Sequence, residues 1–525
     1  MKITFLGQAG LFIETKYGSI LCDPWFHPAY FASWFPFPSN EQIDRQKISN
    51  PTYLYVSHLH HDHYDPKFLR EVVNKNTIVL LPDYPMNHLE QALRGLGFQH
   101  FVQTKNCTPF EQDGLRMMIY ALTAPTDGPI GDSGLMVDDG EARIFNQNDS
   151  RPVDMDLLAS HGPYDALFLQ FSGAIWYPMV YKFPQAMKDT LSRKKRDNQM
   201  ARALKYVTEI DAKYVVPSAG PPCFLDDDLF ELNDFHRSDT NIFPDQTVFL
   251  EYMRDHGVNS GRLMLPDSVM TLANGECRVE HPVPDAEVNA IFTDKEGYLK
   301  AYQARQRGAI EAERASWPHG EVDVLPRLKE WFEPLMRQAD VTAAGINGLI
   351  VLDLGSERIC LDFHNRTVDV WDGGEWDYIF EIEHGLVEKC ILNHYDDWVN
   401  ELFLSCRFRA QRKGAYNEHI YNFFKCLSQE RIQYLEGYLA EKAPVQDLWE
   451  CDGYLVQRRC PHLKADLTRF GHVEDGILTC RMHGWQFDLE TGRCLTSDDR
   501  HLFTRKIEGK LDEGKLGESS EQKQR

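Results

Sequence analysis

The chain has 525 residues, 42% of them apolar, which at roughly 150 residues per domain predicts two to four domains. Asp and Glu number 79 against 56 Lys and Arg, and the net charge of −23 argues against nucleic acid as a partner. No apolar run approaches the roughly 20 residues that cross a bilayer, and the 12 cysteines are thinly spread, so we expect a cytoplasmic protein without a membrane segment or a disulfide framework.

Strand-like runs and helical stretches alternate from the first residue to about residue 270. Apolar runs bounded by glycine turns predict an antiparallel beginning at residues 3–22. Later strands alternate with helices, for example at 65–73 and 199–210. This interleaving predicts an α/β sandwich or layered fold for a first domain of residues 1–270.

A dense histidine cluster follows a predicted strand in this first region. Residues 57–63 have the sequence Ser-His-Leu-His-His-Asp-His. In an extended segment the side chains of His58 and His60 point the same way, whereas Asp62 and His63 turn towards a second point. A lone histidine is usually structural, but a cluster this dense rarely is, so the spacing predicts a site for two metal ions.

The pattern His-x-His-x-Asp-His resembles that of the metallo-β-lactamase superfamily, which implies an αββα sandwich over residues 1–270. The resemblance also implies that His58 and His60 bind a first metal ion. Asp62 and His63 are then expected to bind a second one.

The superfamily further implies a third ligand of the first metal before a strand, and a bridging aspartate after that strand. In this chain Asp127 takes the first place instead of the usual histidine, with Asp132 as the alternative, and Asp149 supplies the bridge. A carboxylate in place of an imidazole favours iron or manganese over zinc. We therefore expect Asp127 and Asp149 to be both metal ligands and catalytic residues.

One ligand of the superfamily is missing from the sequence. A late histidine is expected near residues 215–220, and this stretch contains none. The second metal ion therefore either lacks a ligand or recruits one elsewhere, such as His161 or His236. An open coordination position would then remain for oxygen or substrate.

From about residue 275 to 445 the sequence changes character. It predicts helices at 295–317 and 322–337, then strand-like alternation at 348–371 and helix again at 396–404 and 418–442. This α+β middle domain contains no recognisable chemical motif. Its function is unknown, and the expected role is a scaffold or a cover over the substrate.

Four residues with metal-binding side chains lie near residue 470. Cys460-Pro461-His462 is followed, after 17 intervening residues, by Cys480-Arg481-Met482-His483. Two thiolates and two imidazoles suit an iron–sulfur cluster or, as the alternative, a zinc knuckle. A zinc finger usually pairs like ligands, whereas here each loop offers one cysteine and one histidine, which favours the cluster.

This segment resembles the Rieske [2Fe–2S] domain, including the proline after the first cysteine and the His-Gly-Trp-Gln-Phe-Asp run that begins at His483. The resemblance implies that Cys460 and Cys480 bind one iron of the cluster. It implies that His462 and His483 bind the other.

The Rieske segment is expected to form a small all-β domain over residues 446–510, before a polar, disordered tail at 511–525. Ala465 and Met482 occupy the positions that carry a disulfide in respiratory Rieske proteins, which is typical of the ferredoxin or oxygenase type. Few residues look like strand before the first ligand loop. The missing strands are expected from upstream of residue 445.

A redox cluster and a carboxylate-rich metal site on one chain favour oxygen chemistry, because zinc hydrolysis needs no electrons. The same modules, in the opposite order, occur in the CMP-N-acetylneuraminate hydroxylase family, and the first domain also resembles carboxylate-substituted diiron hydroxylases of the superfamily. These resemblances imply an O2-dependent monooxygenase that hydroxylates or N-oxygenates a small polar molecule. A Rieske cluster would deliver electrons to a non-haem site of one or two irons.

Two other classes of function remain open at this point. One is a metal-dependent hydrolase, of lactonase or phosphodiesterase type, with a redox-sensing Rieske domain. The other is a non-catalytic electron-transfer or scaffold protein with a degenerate first domain. The complete His-x-His-x-Asp-His run counts against the second of these.

The expected partners follow from what the chain lacks. It contains no glycine-rich strand–helix unit for a nicotinamide, so electrons from NAD(P)H are expected through a separate reductase or ferredoxin. The basic run 193–196 is a docking point for an acidic ferredoxin or a substrate phosphate, with a solvated helix as the alternative. Trp176, Tyr177 and Tyr181 line the pocket or pack in the core. The sequence is compatible with a homo-oligomer.

Overall fold

The computed structural model describes residues 1–124, 130–173, 175–440, 448–462, 464–497 and 500–507. The predicted ligand Asp127 and the predicted disordered tail at 511–525 lie outside these residues. Within the described ranges, no helix combines the length and apolar character needed to cross a membrane.

The first part of the chain forms two sheets and their covering helices. The strands are β1 (Lys2–Gly7), β2 (Gly10–Thr15), β3 (Gly18–Cys22), β4 (Tyr53–Tyr55), β5 (Ile78–Leu81), β6 (His100–Gln103), β7 (Phe110–Gln112), β8 (Leu115–Leu122), β9 (Asp132–Asp138), β10 (Arg143–Asn148), β11 (Ala166–Gln170), β12 (Tyr214–Ser218), β13 (Val269–Ala273) and β14 (Glu276–Glu280). The helices are α1 (Pro66–Glu71), α2 (His88–Gly95), α3 (Met155–Ser160), α4 (Gln185–Ile210) and α5 (Gln246–Asp255), with a 3₁₀-helix at Phe230–Leu232.

These elements build the predicted αββα sandwich. An eight-stranded sheet has the order β14-β13-β1-β2-β3-β4-β5-β6, and a six-stranded sheet has the order β12-β11-β10-β9-β8-β7. Apolar side chains from both inner faces, such as Ile13 and Ile119, form one fully buried core. Helices α1 and α2 cover the larger sheet, and α3, α4 and α5 cover the smaller one. Because β13 and β14 belong to the larger sheet, it extends to residue 280, beyond the predicted boundary at 270.

Strand direction brings the predicted ligands to one edge of the sandwich. Strands β3 to β6 are parallel, so the histidine loop leaves the sheet at the carboxyl end of β4. Asp149 follows the carboxyl end of β10 in the other sheet. Strand β9 runs antiparallel to β10, so Asp132 at its first residue lies at the same edge.

The middle part of the chain forms a five-stranded sheet with helices. Its helices are α6 (Asp285–Thr293), α7 (Lys295–Ala315), α8 (Val324–Gln338), α9 (Asp340–Ile346), α10 (His384–Leu392), α11 (Glu418–Lys425) and α12 (Gln429–Ala440), with a π-helix at Val399–Phe403. Its strands are β15 (Leu349–Asp353), β16 (Arg358–Asp362), β17 (Thr367–Val370), β18 (Tyr378–Ile382) and β19 (Phe408–Arg412), in the order β17-β16-β15-β18-β19.

The core of this middle domain continues into the first domain. Buried aromatic side chains of the middle domain, including Trp398 and Phe403, belong to the same cluster as Tyr30 from the first domain. Trp176 and Tyr181 are also buried in this cluster, and Tyr177 packs against it. Of the two roles that the sequence allowed for these aromatic residues, lining a pocket or packing in the core, the structure supports packing in the core.

The last part of the chain contains two small antiparallel sheets. They consist of β20 (Leu448–Cys451), β21 (Tyr454–Gln457) and β25 (Thr504–Lys506), and of β22 (Gly471–Glu474), β23 (Ile477–Cys480) and β24 (Gln486–Asp488), beside a short helix α13 (Leu467–Phe470). The first sheet is completed by β25, which follows the ligand loops. The expectation that the missing strands come from upstream of residue 445 is therefore wrong.

Helix α4 connects the last part to the first. Its Asn198 donates a hydrogen bond to the carbonyl oxygen of Arg481 at 3.1 Å, and Arg202 donates one to the carbonyl oxygen of Met482 at 2.8 Å. The basic run 193–196 belongs to this helix, with Arg193 and Lys194 exposed and Arg196 buried. Arg193 pairs with Asp239, Lys194 with Gln486, and Arg196 with Ser238 and Asp234. Lys195 lies over the ring of Tyr177, 5.9 Å from its centre, so all four side chains are engaged within the chain.

Candidate functional site

The histidine loop after β4 brings three imidazoles together with Asp149. The Nε2 atom of His58 lies 2.7 Å from Nδ1 of His60 and 3.9 Å from Oδ2 of Asp149. The Nε2 atom of His63 lies 3.4 Å from Oδ1 of Asp149. Ligand atoms of His58, His63 and Asp149 all lie within 4.8 Å of one another, which is close enough to hold one metal ion. Three of the ligands predicted from the sequence thus surround a common point, and His60 lies beside His58.

Asp62 joins this group from the other side of His63. Its Oδ2 atom lies 3.6 Å from Nε2 of His63. The carboxylate is held in place by Tyr30, whose hydroxyl donates to Oδ1 at 2.7 Å, and by Gln8, whose amide donates to Oδ2 at 3.1 Å. The predicted second ligand pair is therefore adjacent to the bridging aspartate.

Two further carboxylates orient the histidine rings from behind. Asp132 Oδ1 lies 3.2 Å from Nδ1 of His58, and Asp23 Oδ2 lies 3.1 Å from Nδ1 of His63. Both contacts leave Nε2 of each ring facing Asp149. Metal-binding histidines commonly carry such a carboxylate on the second ring nitrogen, because it fixes the tautomer and the ring orientation. Asp132 thus contacts the nitrogen of His58 that faces away from Asp149, which is not the place of the third ligand.

The donor set fits a metal ion. In the described part of the chain, Nε2 of His63 and Oδ1 of Asp149 are buried polar atoms without a hydrogen-bond partner. Such atoms are costly unless something else satisfies them. Imidazole nitrogens mixed with carboxylate oxygens suit iron, and a two-carboxylate site is harder than a purely imidazole one.

The charges in this cluster prepare it for a cation. Burial raises the pKa of Asp149 to about 6. Burial, together with the neighbouring rings of His58 and His63, holds the pKa of His60 well below its ordinary value, so His60 is a neutral imidazole. Burial opposes the charged form of His63, but Asp149, Asp62 and Asp23 raise its pKa well above the ordinary value. A bound metal ion would displace these protons.

The position of the missing late histidine is occupied by the end of β12. The N–H of Ala219 donates to the carbonyl oxygen of Gln8 at 2.8 Å, which connects this strand end to the residue that holds Asp62. His161 ends helix α3 next to Arg143, and His236 is exposed. Neither reaches the cluster, so the expectation that one of them supplies the missing ligand is wrong.

The middle domain reaches into the site through its π-helix, which lies in the stretch 396–404 where the sequence predicts a helix. Glu401 Oε1 lies 2.9 Å from Nε2 of His61, and the ring of His61 stacks on Tyr30 with 5.7 Å between ring centres. Asn400 lies beside His60. π-Helical turns are uncommon and are often found at functional sites. The π-helical form of this segment, which is visible only in the structure, is therefore what marks it as part of the site.

The two predicted cysteine and histidine loops meet at the other site. Ligand atoms of Cys460, Cys480 and His483 all lie within 4.8 Å of one another, and Cys460 Sγ is 3.0 Å from Nε2 of His483. Burial opposes ionisation of Cys460, but the Cys480 thiol and His483 hold its pKa well below the ordinary value. Thiolate is the form that binds iron.

His462 lies against this group as the fourth ligand. Its ring centre is 4.4 Å from that of His483 and 4.0 Å from that of Trp485, on which it stacks at 10°. Its Nδ1 atom is buried without a hydrogen-bond partner among the described residues. Two buried thiols and two imidazoles with one unsatisfied nitrogen fit a [2Fe–2S] cluster of the Rieske type.

A glutamate of the middle domain contacts His462, and sequence reasoning missed it. Glu418 Oε2 lies 2.9 Å from Nε2 of His462, and Arg500 donates to Oε1 of Glu418 at 2.8 and 2.6 Å. Burial opposes the charge of Glu418, yet His462 and Arg500 hold its pKa well below the ordinary value. The carboxylate is therefore charged at neutral pH. No motif surrounds it in the sequence.

Comparison with known proteins supports this architecture. The chain is 48% identical over 520 residues to a protein of Mycolicibacterium smegmatis named as a Rieske 2Fe-2S iron-sulfur protein, covering 97% of this chain and 100% of that one. The chain belongs to this family of Rieske iron–sulfur proteins. Another member, from Mycobacterium tuberculosis, is 48% identical over 511 residues, covering 96% of this chain and 99% of that one.

Family models divide the chain into three matched regions. Residues 19–218 match the beta-lactamase superfamily domain, residues 324–441 match the Rv3818-like, SCP2-like domain, and residues 448–503 match the Rieske [2Fe-2S] domain. The Rieske domain and the fold of the first domain are thereby confirmed. The Rieske match indicates a [2Fe–2S] cluster, which supports an oxidoreductase role.

Solved structures resemble the first half of the chain. An isothiocyanate hydrolase from Delia radicum gut bacteria is 15% identical, with a TM-score of 0.37, covering 52% of this chain and 99% of that one. CmlA, a diiron beta-hydroxylase from Streptomyces venezuelae, is 17% identical, with a TM-score of 0.34, covering 53% of this chain and 54% of that one. One is a hydrolase and the other a hydroxylase, and neither activity is transferred here.

Proposed function

We propose that this protein is an O2-dependent monooxygenase that hydroxylates or N-oxygenates a small polar molecule. The observation that carries the proposal is a single helix of the middle domain that connects the two sites. Helix α11 begins at Glu418, which contacts His462 of the Rieske domain. Near its other end, the carbonyl oxygen of Phe424 accepts the N–H of Trp398 at 2.8 Å.

Trp398 immediately precedes the π-helix that lies on the histidine loop of the first domain. Through Asn400 and Glu401 this π-helix contacts His60 and His61. Helix α11 has eight residues, so at 1.5 Å per residue it is about 12 Å long. Folding of one chain therefore places the redox domain and the metal-binding loop on the same short connector.

Each group has a separate task in this proposal. When bound, the [2Fe–2S] cluster supplies electrons one at a time and the non-haem iron, as one or two ions, supplies oxygen activation. His58, His60 and Asp149 would hold the iron, and Asp127 is proposed as their remaining partner. Asp62 and His63 would hold a second ion.

The middle domain has the task of covering the metal loop. Tyr30 is 1% exposed, and its ring lies between Asp62 and the stacked ring of His61. Glu401 closes this arrangement from the π-helix. The cover is partial, because His60 and His61 remain partly exposed beside it.

The proposed partners are a small-molecule substrate and an electron donor. The donor is a separate reductase or ferredoxin that carries electrons from NAD(P)H. Arg196 of the basic run is 7% exposed and Arg193 is paired with Asp239, so this run is a poor docking surface for the donor. We therefore place the docking site elsewhere on the acidic molecule.

The experiment needs no knowledge of the substrate. The protein is reduced anaerobically, mixed with O2, and reoxidation of the Rieske cluster is followed by visible absorption. We expect His58→Ala to slow this reoxidation at least tenfold while leaving the Rieske spectrum unchanged. His472→Ala is the control, because His472 lies in β22 of the Rieske domain with its side chain half exposed and is not one of the predicted ligands.

Metal analysis of the same samples gives the second readout. About two irons per chain would mean a Rieske cluster alone, and three or four would mean that the first site also holds iron. Reoxidation at the wild-type rate in the His58→Ala protein would refute the oxygen site. Zinc in the first site, with no effect of the substitution on reoxidation, would favour the hydrolase with a redox-sensing domain.

A further inference from the structure

Glu418 is a buried acid at the boundary between the middle domain and the Rieske domain. Its side chain is 3% exposed, and its contacts cross this boundary to His462 and Arg500. A buried carboxylate is costly unless it is paired. Its role must therefore be sought in these two contacts.

The position of Glu418 is fixed by the start of helix α11. Asn417 caps the helix, and its side chain accepts the N–H of His419 at 3.0 Å. An acid in the first helical turn is stabilised by the helix dipole. Arg500 engages Oε1 through both Nε and Nη2, at 2.8 and 2.6 Å, which turns Oε2 towards His462.

The ring of His462 is held on two sides. Trp485 stacks on its face at 4.0 Å, and Glu418 Oε2 lies 2.9 Å from its Nε2. The Nδ1 atom of the same ring is buried and has no hydrogen-bond partner among the described residues, and the ring centre lies 4.4 Å from that of His483. The ring can therefore offer Nδ1 to the cluster only while Nε2 points at the glutamate.

We propose that Glu418 is a positioning residue that fixes His462 as a cluster ligand through Nδ1 and lowers the reduction potential of the Rieske cluster. A carboxylate on the far nitrogen of a metal-bound imidazole strengthens the ligand as a donor. Its negative charge also favours the oxidised, more positive cluster over the reduced one. This gives the middle domain a role in tuning the redox site of its neighbour.

The proposal concerns the cluster and does not depend on the reaction at the first site. The reduction potential is therefore measured at equilibrium, without O2 or substrate, by titrating the full-length protein with dithionite against mediator dyes. Circular dichroism in the visible range reports the cluster, and the iron and sulfide contents confirm that it is complete.

Two substitutions with opposite expected signs test the charge. Glu418→Gln removes the negative charge with little change of shape. We expect the equilibrium constant for one-electron reduction to rise at least tenfold, which raises the reduction potential by at least 59 mV. In Arg500→Gln the partner that neutralises Glu418 is removed, and the potential is expected to fall. Glu474→Gln is the matched control, because Glu474 lies in the Rieske domain with its side chain 80% exposed.

The pair also separates charge from loosening of the domain boundary. A looser boundary exposes the cluster to water in both variants and shifts both potentials in the same direction. Such a common shift would overturn the proposal, and so would a Glu418→Gln potential equal to that of Glu474→Gln. If the Glu418→Gln protein does not assemble a cluster, the test rests on Arg500→Gln. A reduction potential of the Arg500→Gln protein that is unchanged or raised relative to wild type would then refute the proposal.

Discussion

Asp132 lies behind His58, and replacing it measures how much an orienting carboxylate contributes to metal binding. We consider Asp132→Asn, which keeps the volume of the side chain and removes its charge. In the structure Oδ1 accepts the N–H of Ser133 at 2.7 Å and lies 3.2 Å from Nδ1 of His58. The asparagine oxygen can still accept both hydrogen bonds, so the loss is the electrostatic part of the contact.

The expected size follows from this geometry. Removing the partner of a metal-bound histidine typically lowers metal affinity 10- to 100-fold, about 1.4–2.7 kcal/mol. Because the hydrogen bond survives in Asp132→Asn, we expect a loss of about tenfold, and a loss of about 100-fold in Asp132→Ala. A residue that bound the metal directly would cost far more, because the ion would lose one of its ligands.

The assay is cobalt(II) binding to the first site, followed by its visible absorption bands after subtraction of the Rieske spectrum. Asp138→Asn is the control, because Asp138 ends the same strand β9 and pairs with Arg143 at 2.7 Å. Equal affinities in the Asp132→Asn and Asp138→Asn proteins would refute the orienting role. Complete loss of binding in Asp132→Asn would make Asp132 the third ligand that the sequence assigned to Asp127.

Two further predictions follow from the structure. Burial raises the pKa of Asp149 to about 6, and the pKa of His63 is raised well above its ordinary value, so protons on both residues compete with the metal below about pH 6. Cobalt(II) affinity is therefore expected to fall at least tenfold for each pH unit below about 6, and an affinity independent of pH there would contradict this prediction. Arg202→Leu removes the 2.8 Å hydrogen bond to the carbonyl oxygen of Met482 and is expected to lower the free energy of unfolding by about 1.5–3 kcal/mol, measured by melting of the cluster's circular dichroism. Arg193→Leu on the same helix is the control, because the exposed ion pair of Arg193 with Asp239 contributes only about 0–1 kcal/mol. Equal losses in the free energy of unfolding for the two variants would show that Arg202 does not hold the Rieske domain.

The ligands that the sequence predicted well are those whose geometry is local. His58, His60, Asp62 and His63 follow one strand within six residues, so their relative positions are set by a single loop. The two Rieske loops are short and carry a specific pattern, so the same reasoning holds there. The prediction failed for the ligand that should replace the missing late histidine. His161 and His236 lie on other elements, and no sequence pattern gives the distance of those elements from the histidine loop.

The orienting residues show a second limit of sequence reasoning. Asp23 follows β3 and Asp132 begins β9, and each contacts a histidine more than 30 residues away in sequence. They could have been inferred only from the pairing of parallel β3 with β4 and of antiparallel β9 with β10. Strand order within a sheet is a property of the whole fold, which hydrophobic alternation does not specify.

The middle domain shows the same limit in its strongest form. Glu401 and Glu418 lie in helical sequence that contains many other acids, and composition alone gives no reason to select them. What distinguishes them is that each is paired across a domain boundary, Glu401 with His61 and Glu418 with His462. A domain that only supported its neighbours would meet them through apolar and solvated surfaces, since burying a carboxylate costs several kcal/mol unless it is compensated. Placing one such carboxylate against each metal-binding loop therefore argues that the middle domain adjusts both sites and is more than a scaffold.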